Sequence, residues 1–184
     1  NHEIESKKAI EAIESIAGLA VVVAQCEIKQ EVTLAAFSAA KKRGCVTILN
    51  PAPYQPLSKE LLAVTDWIIP NETEFKELHG QAPTSDDVLK SFRPGKNSIV
   101  TLGSEGAVLI TSDGNLTRVS APKVNAVDTT GAGDAFVGVF AFGLASGKNP
   151  EDAMKLGVKV ASMSVTRKGA QSSYPSQAEI ETLS

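Results

Sequence analysis

The feature that most constrains this chain is an alternation: apolar runs of single-strand length are separated by segments of helical length. LAVVVAQ (19–25) is a continuous apolar run, as a strand buried on both faces should be. KQEVTLAAFSAAKKRG then reads as a helix, alanine-rich, with basic residues in its last turn and Gly44 as its stop. CVTILN predicts a second buried strand, ended by the proline-rich loop PAPYQP. SKELLAV predicts a short helix, DWIIP a third strand, NETEFKELHG a helix between Asn71 and Gly80, and TSDDVLKSF another capped by Thr84 or Ser85. NSIVTLG predicts a fourth strand, and GAVLITS and NLTRVSA an antiparallel pair around an Asp113-Gly114 turn. From Gly131 onward the chain reads as mainly helical: GAGDAFVGVFAFGLASG, PEDAMKLGVKVASMSVT and a terminal SQAEIETL. At the start, Ile4, Ile10, Ile13 and Ile16 broadly follow helical spacing, with Gly18 as the stop. Such alternation builds an α/β fold around a largely parallel sheet, here with an antiparallel excursion near residues 106–120.

Composition narrows the function classes. The 184 residues are 42% hydrophobic and 21% charged, enough for one globular domain with a core that needs no disulfide or metal. A net charge of −3 and no lysine/arginine stripe argue against a nucleic-acid partner, and no apolar run reaches membrane-spanning length. Cys26 and Cys45 lack metal or redox spacing and read as reduced core thiols, as in a cytoplasmic protein. His2 and His79 stand far apart without companion ligands, so no zinc site is expected. Phe136, Phe140 and Phe142 read as core. The first residues carry no initiator methionine and no targeting pattern, and read as an amphipathic helix entered partway through a larger protein.

The chemistry-bearing segments QCEI, LNPAP, PNETE and TLGSEG each fall where a predicted strand ends, which is where ligands sit in open α/β sheets. The densest motif is DTTGAGDAF (128–136), directly ahead of an apolar helix. Gly131, Ala132 and Gly133 let bare first-turn amides approach an anion, which the helix dipole favours. Asp134, a carboxylate beside that anion site, has two readings on the residues alone: it complements the dipole, or it is a base that deprotonates a hydroxyl attacking a phosphate. Asn71 and Glu74 form a variant capping box with a purely structural explanation. The glycines of TLGSEG are explained by a turn alone, and Asp128 by a cap ahead of Thr129.

VDTTGAGDAF resembles the C-terminal signature of the ribokinase/PfkB carbohydrate kinase family, and LNPAP, PNETE, TLGSEGA and VTRKGAQSS resemble further segments of it in the same order. The resemblance runs from about Gln25 to the end. It implies a ribokinase-like three-layer sandwich, with residues 1–184 as the C-terminal portion of one kinase domain. The first strands, the glycine-rich sugar loop and most of the lid have no counterpart in it. The implied activity is ATP-dependent phosphorylation of D-ribose at its 5-hydroxyl. Asp134 is then the base that meets the sugar, and the amides of Gly131, Ala132, Gly133 and Asp134 form the anion hole. Asn71 approaches the ATP phosphates, Glu74 organises Mg²⁺ through water, and Thr101, Leu102, Gly103, Ser104, Glu105 and Gly106 border the nucleotide. Val158 stands where relatives often place a polar residue near adenine, a departure that leaves adenine recognition less defined than phosphate chemistry. Asp128 and Thr130, with Ser164, Arg167, Gly169 and Ser173, match the positions that hold K⁺, several through backbone carbonyls. Glu27 matches a glutamate that accepts a bond from a sugar hydroxyl. A homodimer is implied for the complete protein.

Two rival functions remain at this level. One is another kinase of the same family, acting on fructose, a nucleoside or a keto-deoxy sugar acid. The other is a catalytically silent nucleotide-binding or protein-interaction fragment. On either reading, the strands without counterpart should leave LAVVVAQ and CVTILN partly uncovered, favouring self-association or pairing with a complementary chain.

Overall fold

The computed structural model describes residues 4–182, so Asn1 and His2 lie outside the described residues. Six strands form one sheet in chain order: β1 (Val21–Gln25), β2 (Val46–Asn50), β3 (Trp67–Ile68), β4 (Asn97–Thr101), β5 (Ala107–Ile110) and β6 (Leu116–Val119). The first four are parallel, in a register that sets Val21 beside Val46, Gln25 beside Asn50, and Trp67 beside both Ile48 and Asn97. Among the described residues eight helices accompany them: α1 (Ser6–Ser15), α2 (Gln30–Lys42), α3 (Lys59–Ala63), α4 (Glu72–His79), α5 (Asp86–Ser91), α6 (Ala132–Ala145), α7 (Pro150–Ser164) and α8 (Gln177–Glu181). β5 and β6 are neighbours joined by five residues, a connection only antiparallel strands can make. The turn closes as expected, with Gly114 in the left-handed region and its N–H donated to Thr111 (2.9 Å). The chain divides into two compact units.

The first unit takes in the described residues up to Val100 together with Ile110–Leu116. Its interior strands are apolar and fully covered; Ile48, Leu49, Ile68, Ile99 and Val100 have no exposed surface to speak of. CVTILN is therefore a buried strand, not a partly uncovered one. LAVVVAQ departs from the reading as a strand buried on both faces and matches the expectation of a partly uncovered run: no residue of β1 is fully buried and Val23 is 42% exposed. β1 ends the strand order, and successive side chains point to opposite faces. Val22 packs against Ile13, Ala39, Ala40 and Cys45 on the α1–α2 side, while Val23 looks the other way. In α1 only Ile13 is buried; Ile4 and Ile16 fall outside the helical span and are exposed. Asp66 ties the lower ends of the strands together by accepting from Lys41 (2.7 Å), Lys96 (3.0 Å) and the Thr47 amide (3.0 Å). Burial alone would raise its pKa, but the two ammonium groups and the amide hold it below the ordinary value. The His79 ring packs tilted against Phe75 and edge-on to Phe92 and meets the Ser91 hydroxyl at 2.9 Å, a packing role.

The second unit comprises Thr101–Leu109 and the residues from Thr117 on. Here α6 packs on α7, with Ala135, Leu156 and Val160 forming a cluster joined by Val139, Tyr174 and Ile180. Phe136 and Phe140 are buried, one turn apart on the same side of α6. Phe142 is 60% exposed, contrary to the reading of all three as core. Two residues past Phe140 means about 200° around the helix, so it faces away. Cys26 and Cys45 are both free and buried. Among the described residues no helix is long and apolar enough to cross a membrane.

Candidate active site

In the first unit, the carboxyl ends of the strands carry a chain of amides. Gln25 donates to the Asn50 side chain (3.1 Å), and Asn50 donates to the Ile69 carbonyl (2.8 Å). This row locks the ends of β1, β2 and β3 just before the segments of interest begin. Glu27 follows in an exposed turn, beside Cys26, whose amide donates to Ala52 (2.9 Å). Asn71 caps α4 in a complete capping box: its side chain accepts from the Glu74 amide (2.9 Å), and Glu74 accepts from the Asn71 amide (2.9 Å). A third bond runs from the Asn71 side-chain amide to the other Glu74 oxygen (3.0 Å). Glu74 is only 7% exposed; burial raises its pKa, and the bonds from Asn71 pull the other way. The Cys26 thiol is likewise pushed up by burial, against a bond with Gln55, and the Glu74 charge adds to the rise. Cys26 and Glu74 thus share one neighbourhood at the strand ends. A shallow cavity of about 310 Å³, lined by Lys59, Arg93 and Lys96 among others, lies instead where β4 begins, away from these residues.

In the second unit, DTTGAGDAF forms a turn that delivers the chain into α6. Gly131 is the N-cap residue, at φ 78°, and no side chain caps the helix. A Cβ there would stand 2.8 Å from the Tyr174 hydroxyl and 3.2 Å from the Ala170 backbone, so only glycine fits. The Ala132 amide donates to Thr129 (3.2 Å), and Asp134 is exposed in the first helical turn.

Asp128 is fastened at both oxygens. It accepts from the Thr130 amide (3.0 Å) and, 41 residues along the chain, from the Gly169 amide (2.9 Å). The Thr130 side chain and these backbone donors hold its pKa down to about 2. Val127 and Asp128 also donate their amides to the Val165 carbonyl (2.7 and 3.1 Å). The turn-cap reading of Asp128 is therefore correct in kind, but the cap reaches a second loop as well as its own. In that loop Ser164 and Ser173 are buried, and their hydroxyls donate to Ala161 and Ala170. The Arg167 guanidinium pairs with Glu179, which is held at about 2 by that pairing and by bonds from Ser176.

TLGSEG closes on itself in the same unit. A short 3-10 turn spans Gly103–Glu105, and the Leu102 amide donates to the Gly106 carbonyl (2.8 Å). Gly106 sits at φ 101°, where a Cβ would overlap the Val119 carbonyl at 2.0 Å. Gly103, Ser104 and Glu105 are exposed at the tip, Thr101 is half-buried and Leu102 is buried. Val158 lies in the α7 interior at 4% exposure, so its side chain is part of the core.

The donors present suit particular ions. Asp128 and the carbonyls of the 164–173 loop offer oxygen only, which fits a hard monovalent cation; Arg167, its guanidinium engaged, has only its carbonyl to give. No group of three His, Cys, Asp or Glu residues able to cage a metal occurs among the described residues. A single glutamate such as Glu74 fits Mg²⁺ only as that ion is ordinarily held, through water and substrate phosphates. Sequence reading missed Tyr174, whose hydroxyl donates to the Gly131 carbonyl (3.2 Å). Burial raises the phenol's pKa, and the negative charge of Asp134 raises it further. Its one sequence signal was adjacency to VTRKGAQSS. Gln25 and Asn50 were also missed, though they end two of the predicted strands.

A model of the pfkB family carbohydrate kinases matches residues 2–177. The chain is 38% identical over 190 aligned positions to a ribokinase of Staphylococcus aureus, taking in all of this chain and 62% of that protein. It is 40% identical over 172 positions to a deoxyribokinase of Salmonella typhi, covering 90% of this chain and 56% of the other. Among solved structures, Arabidopsis thaliana ribokinase complexed with ribose and ATP matches with a TM-score of 0.87 at 33% identity, over 98% of this chain and 60% of that one. The chain thus spans about three-fifths of the length of these relatives.

Proposed function

Because the chain belongs to the PfkB family of carbohydrate kinases, we propose that it serves the ATP-dependent phosphorylation of a sugar hydroxyl, with D-ribose at its 5-hydroxyl as substrate. The observation that carries this reading is the entry to α6: a helix start with no capping side chain, headed by a glycine no other residue could replace, with an exposed carboxylate one turn in. Phosphoryl transfer needs little covalent help from protein; it needs placement and charge stabilisation. The first-turn amides from Gly131 to Asp134 supply the second. Asp134 takes the proton from the sugar hydroxyl as its oxygen bonds to the γ-phosphorus and the bond from that phosphorus to the β–γ bridging oxygen breaks, releasing ADP.

Other residues act by holding. Asn71 and Glu74 keep the start of α4 rigid and serve the phosphate and Mg²⁺ side, where the ion neutralises charge on the phosphates. Thr101 to Gly106 form a self-closed border for the nucleotide, and Val158 acts from within the core instead of by a polar contact. Asp128 and Thr130, with carbonyls of the loop from Ser164 to Ser173, hold potassium. Glu27 accepts a bond from the sugar. The 40% identity to a deoxyribokinase favours 2-deoxyribose as the second substrate to test.

The test is a coupled ADP assay over ribose, 2-deoxyribose, fructose and nucleosides, on the protein as encoded by its gene. Ribose should give the highest kcat/KM. Asp134→Asn should lower kcat by at least ~10²-fold with MgATP affinity nearly unchanged, since general-base assistance contributes about 10²–10⁴-fold. Near-wild-type turnover in that variant would remove Asp134 from the chemistry.

A further inference from the structure

Tyr174 joins two features that are far apart in sequence. Its ring packs into the cluster of Ala135, Leu156 and Val160 under α6 and α7, and its hydroxyl reaches the Gly131 carbonyl at 3.2 Å. That carbonyl also accepts the Ala135 amide at 2.9 Å, the bond that opens α6. The tyrosine and Ala170 together fill the space where any side chain at position 131 would stand. Thus the left-handed Gly131 and the tyrosine hydroxyl are fitted to each other.

From these contacts we infer that Tyr174 is a positioning residue, whose hydroxyl fixes the Gly131–Ala132 peptide in the orientation that presents the first-turn amides of α6 to an anion. The physical reason lies in the peptide plane. A trans peptide points its carbonyl and its N–H in opposite directions. Holding the Gly131 oxygen toward Tyr174 therefore aims the Ala132 N–H the other way, back into the turn, where it donates to the Thr129 carbonyl (3.2 Å). Glycine at positive φ tolerates the rotated peptide almost as well, because it lacks a Cβ to forbid it. Rotation would turn the carbonyl oxygen toward the helix start, where its partial negative charge would repel a phosphate. The hydroxyl adds a third bond to the two that favour the present orientation, from the Ala135 amide to the Gly131 carbonyl and from the Ala132 amide to the Thr129 carbonyl.

A packing role alone does not account for the contact. The ring is anchored in the apolar cluster without help from its oxygen, so removing the oxygen leaves the packing in place. The loop that carries Tyr174 is already tied to the same turn through the Asp128–Gly169 bond and the Val165 carbonyl. Those ties hold residues 127–130. Only the tyrosine reaches the Gly131 carbonyl from that loop, among the bonds seen in the described residues.

The effect on rate rests on the kinase reading above, so the experiment has two independent readouts. Tyr174→Phe keeps the ring and removes the hydroxyl. In the protein as encoded by its gene, amide hydrogen exchange over residues 129–135 should rise about three- to ten-fold, the loss expected for one ordinary hydrogen bond. The kcat for the sugar should fall by a similar factor, with the KM values for sugar and ATP unchanged, as for an interaction used in the transition state. Tyr174→Leu, which also loses the ring, should lower the melting temperature; Tyr174→Phe should not. Unchanged exchange in Tyr174→Phe overturns the inference. Raised exchange with unchanged kcat overturns it too, since the bond would then serve stability only. A wild-type protein that phosphorylates no sugar would sink the proposed function, while the exchange comparison would still decide whether the hydroxyl fixes the peptide.

Discussion

Replacing Asn71 by alanine measures what its capping box contributes to the fold. In the structure its side chain makes two bonds, accepting from the Glu74 amide (2.9 Å) and donating to a Glu74 carboxylate oxygen (3.0 Å). Losing an N-cap acceptor costs about 0.5–2 kcal/mol. Losing a hydrogen bond to a charged, buried partner costs about 1.5–3 kcal/mol more. Glu74 limits the second cost by taking a proton, because burial already pushes its pKa up. The expected loss is about 2–4 kcal/mol. With a urea m-value of about 2 kcal/mol/M, the midpoint drops by roughly 1–2 M. Asn71→Ser keeps the cap acceptor and can still donate through its hydroxyl, as Ser176 does to Glu179 (2.9 Å), so it should lose less than alanine. Urea titrations followed by far-UV circular dichroism measure all three. An alanine variant within about 0.5 kcal/mol of wild type would mean the capping box does not stabilise α4.

Three further outcomes follow. If Asp128 and the 164–173 loop hold potassium, turnover rises several-fold when sodium is replaced by potassium at fixed ionic strength, and Asp128→Ala flattens that response; equal rates in both salts for wild type would contradict the cation site. Asp128 and Glu179 both sit at about 2, below the ordinary carboxylate values near 4, so the stability they contribute is complete above that range and is lost as pH falls from about 4 towards about 2. The raised pKa of Glu74 works in the opposite sense. Urea midpoints at pH 5 and pH 2.5 should differ less in Asp128→Asn than in wild type, and identical acid losses would refute the assignment. Finally, Ile48→Ala in the interior of β2 should cost about 2–5 kcal/mol by chemical denaturation, whereas Val23→Ala, 42% exposed in β1, should cost under about 1 kcal/mol; similar losses would contradict the edge placement of β1.

The elements were legible because each announced itself locally. Gly18, Gly44, Gly80 and Gly114 stop or turn the chain at positive φ where the pattern of apolar residues breaks. The capping box of Asn71 and Glu74 is a four-residue signal and formed as read. What the sequence could not show is where an element sits in the sheet. LAVVVAQ and CVTILN read alike as doubly buried strands, yet one ends the strand order and the other lies inside it. Phe142 was misplaced because an all-apolar helix has no periodicity to tell its faces apart. Within the site, the motif at 128–136 could be read, but its supports could not. The bonds from Gly169 and Tyr174 span 41 and 43 residues, and no spacing rule links them.

That span has a consequence for how the protein is made. The turn at Asp128–Gly131 leaves the ribosome well before the loop that braces it. At a synthesis rate of about 5–20 residues per second, the gap of 41 to 43 residues lasts roughly two to nine seconds. During that interval α6 can form, but its entry turn lacks both the Gly169 amide and the Tyr174 hydroxyl. The entry turn of the helix is therefore assembled late in synthesis, whatever the order in which the strands pair. A premature stop after Ser164 would release a chain with the whole DTTGAGDAF motif and an unbraced turn.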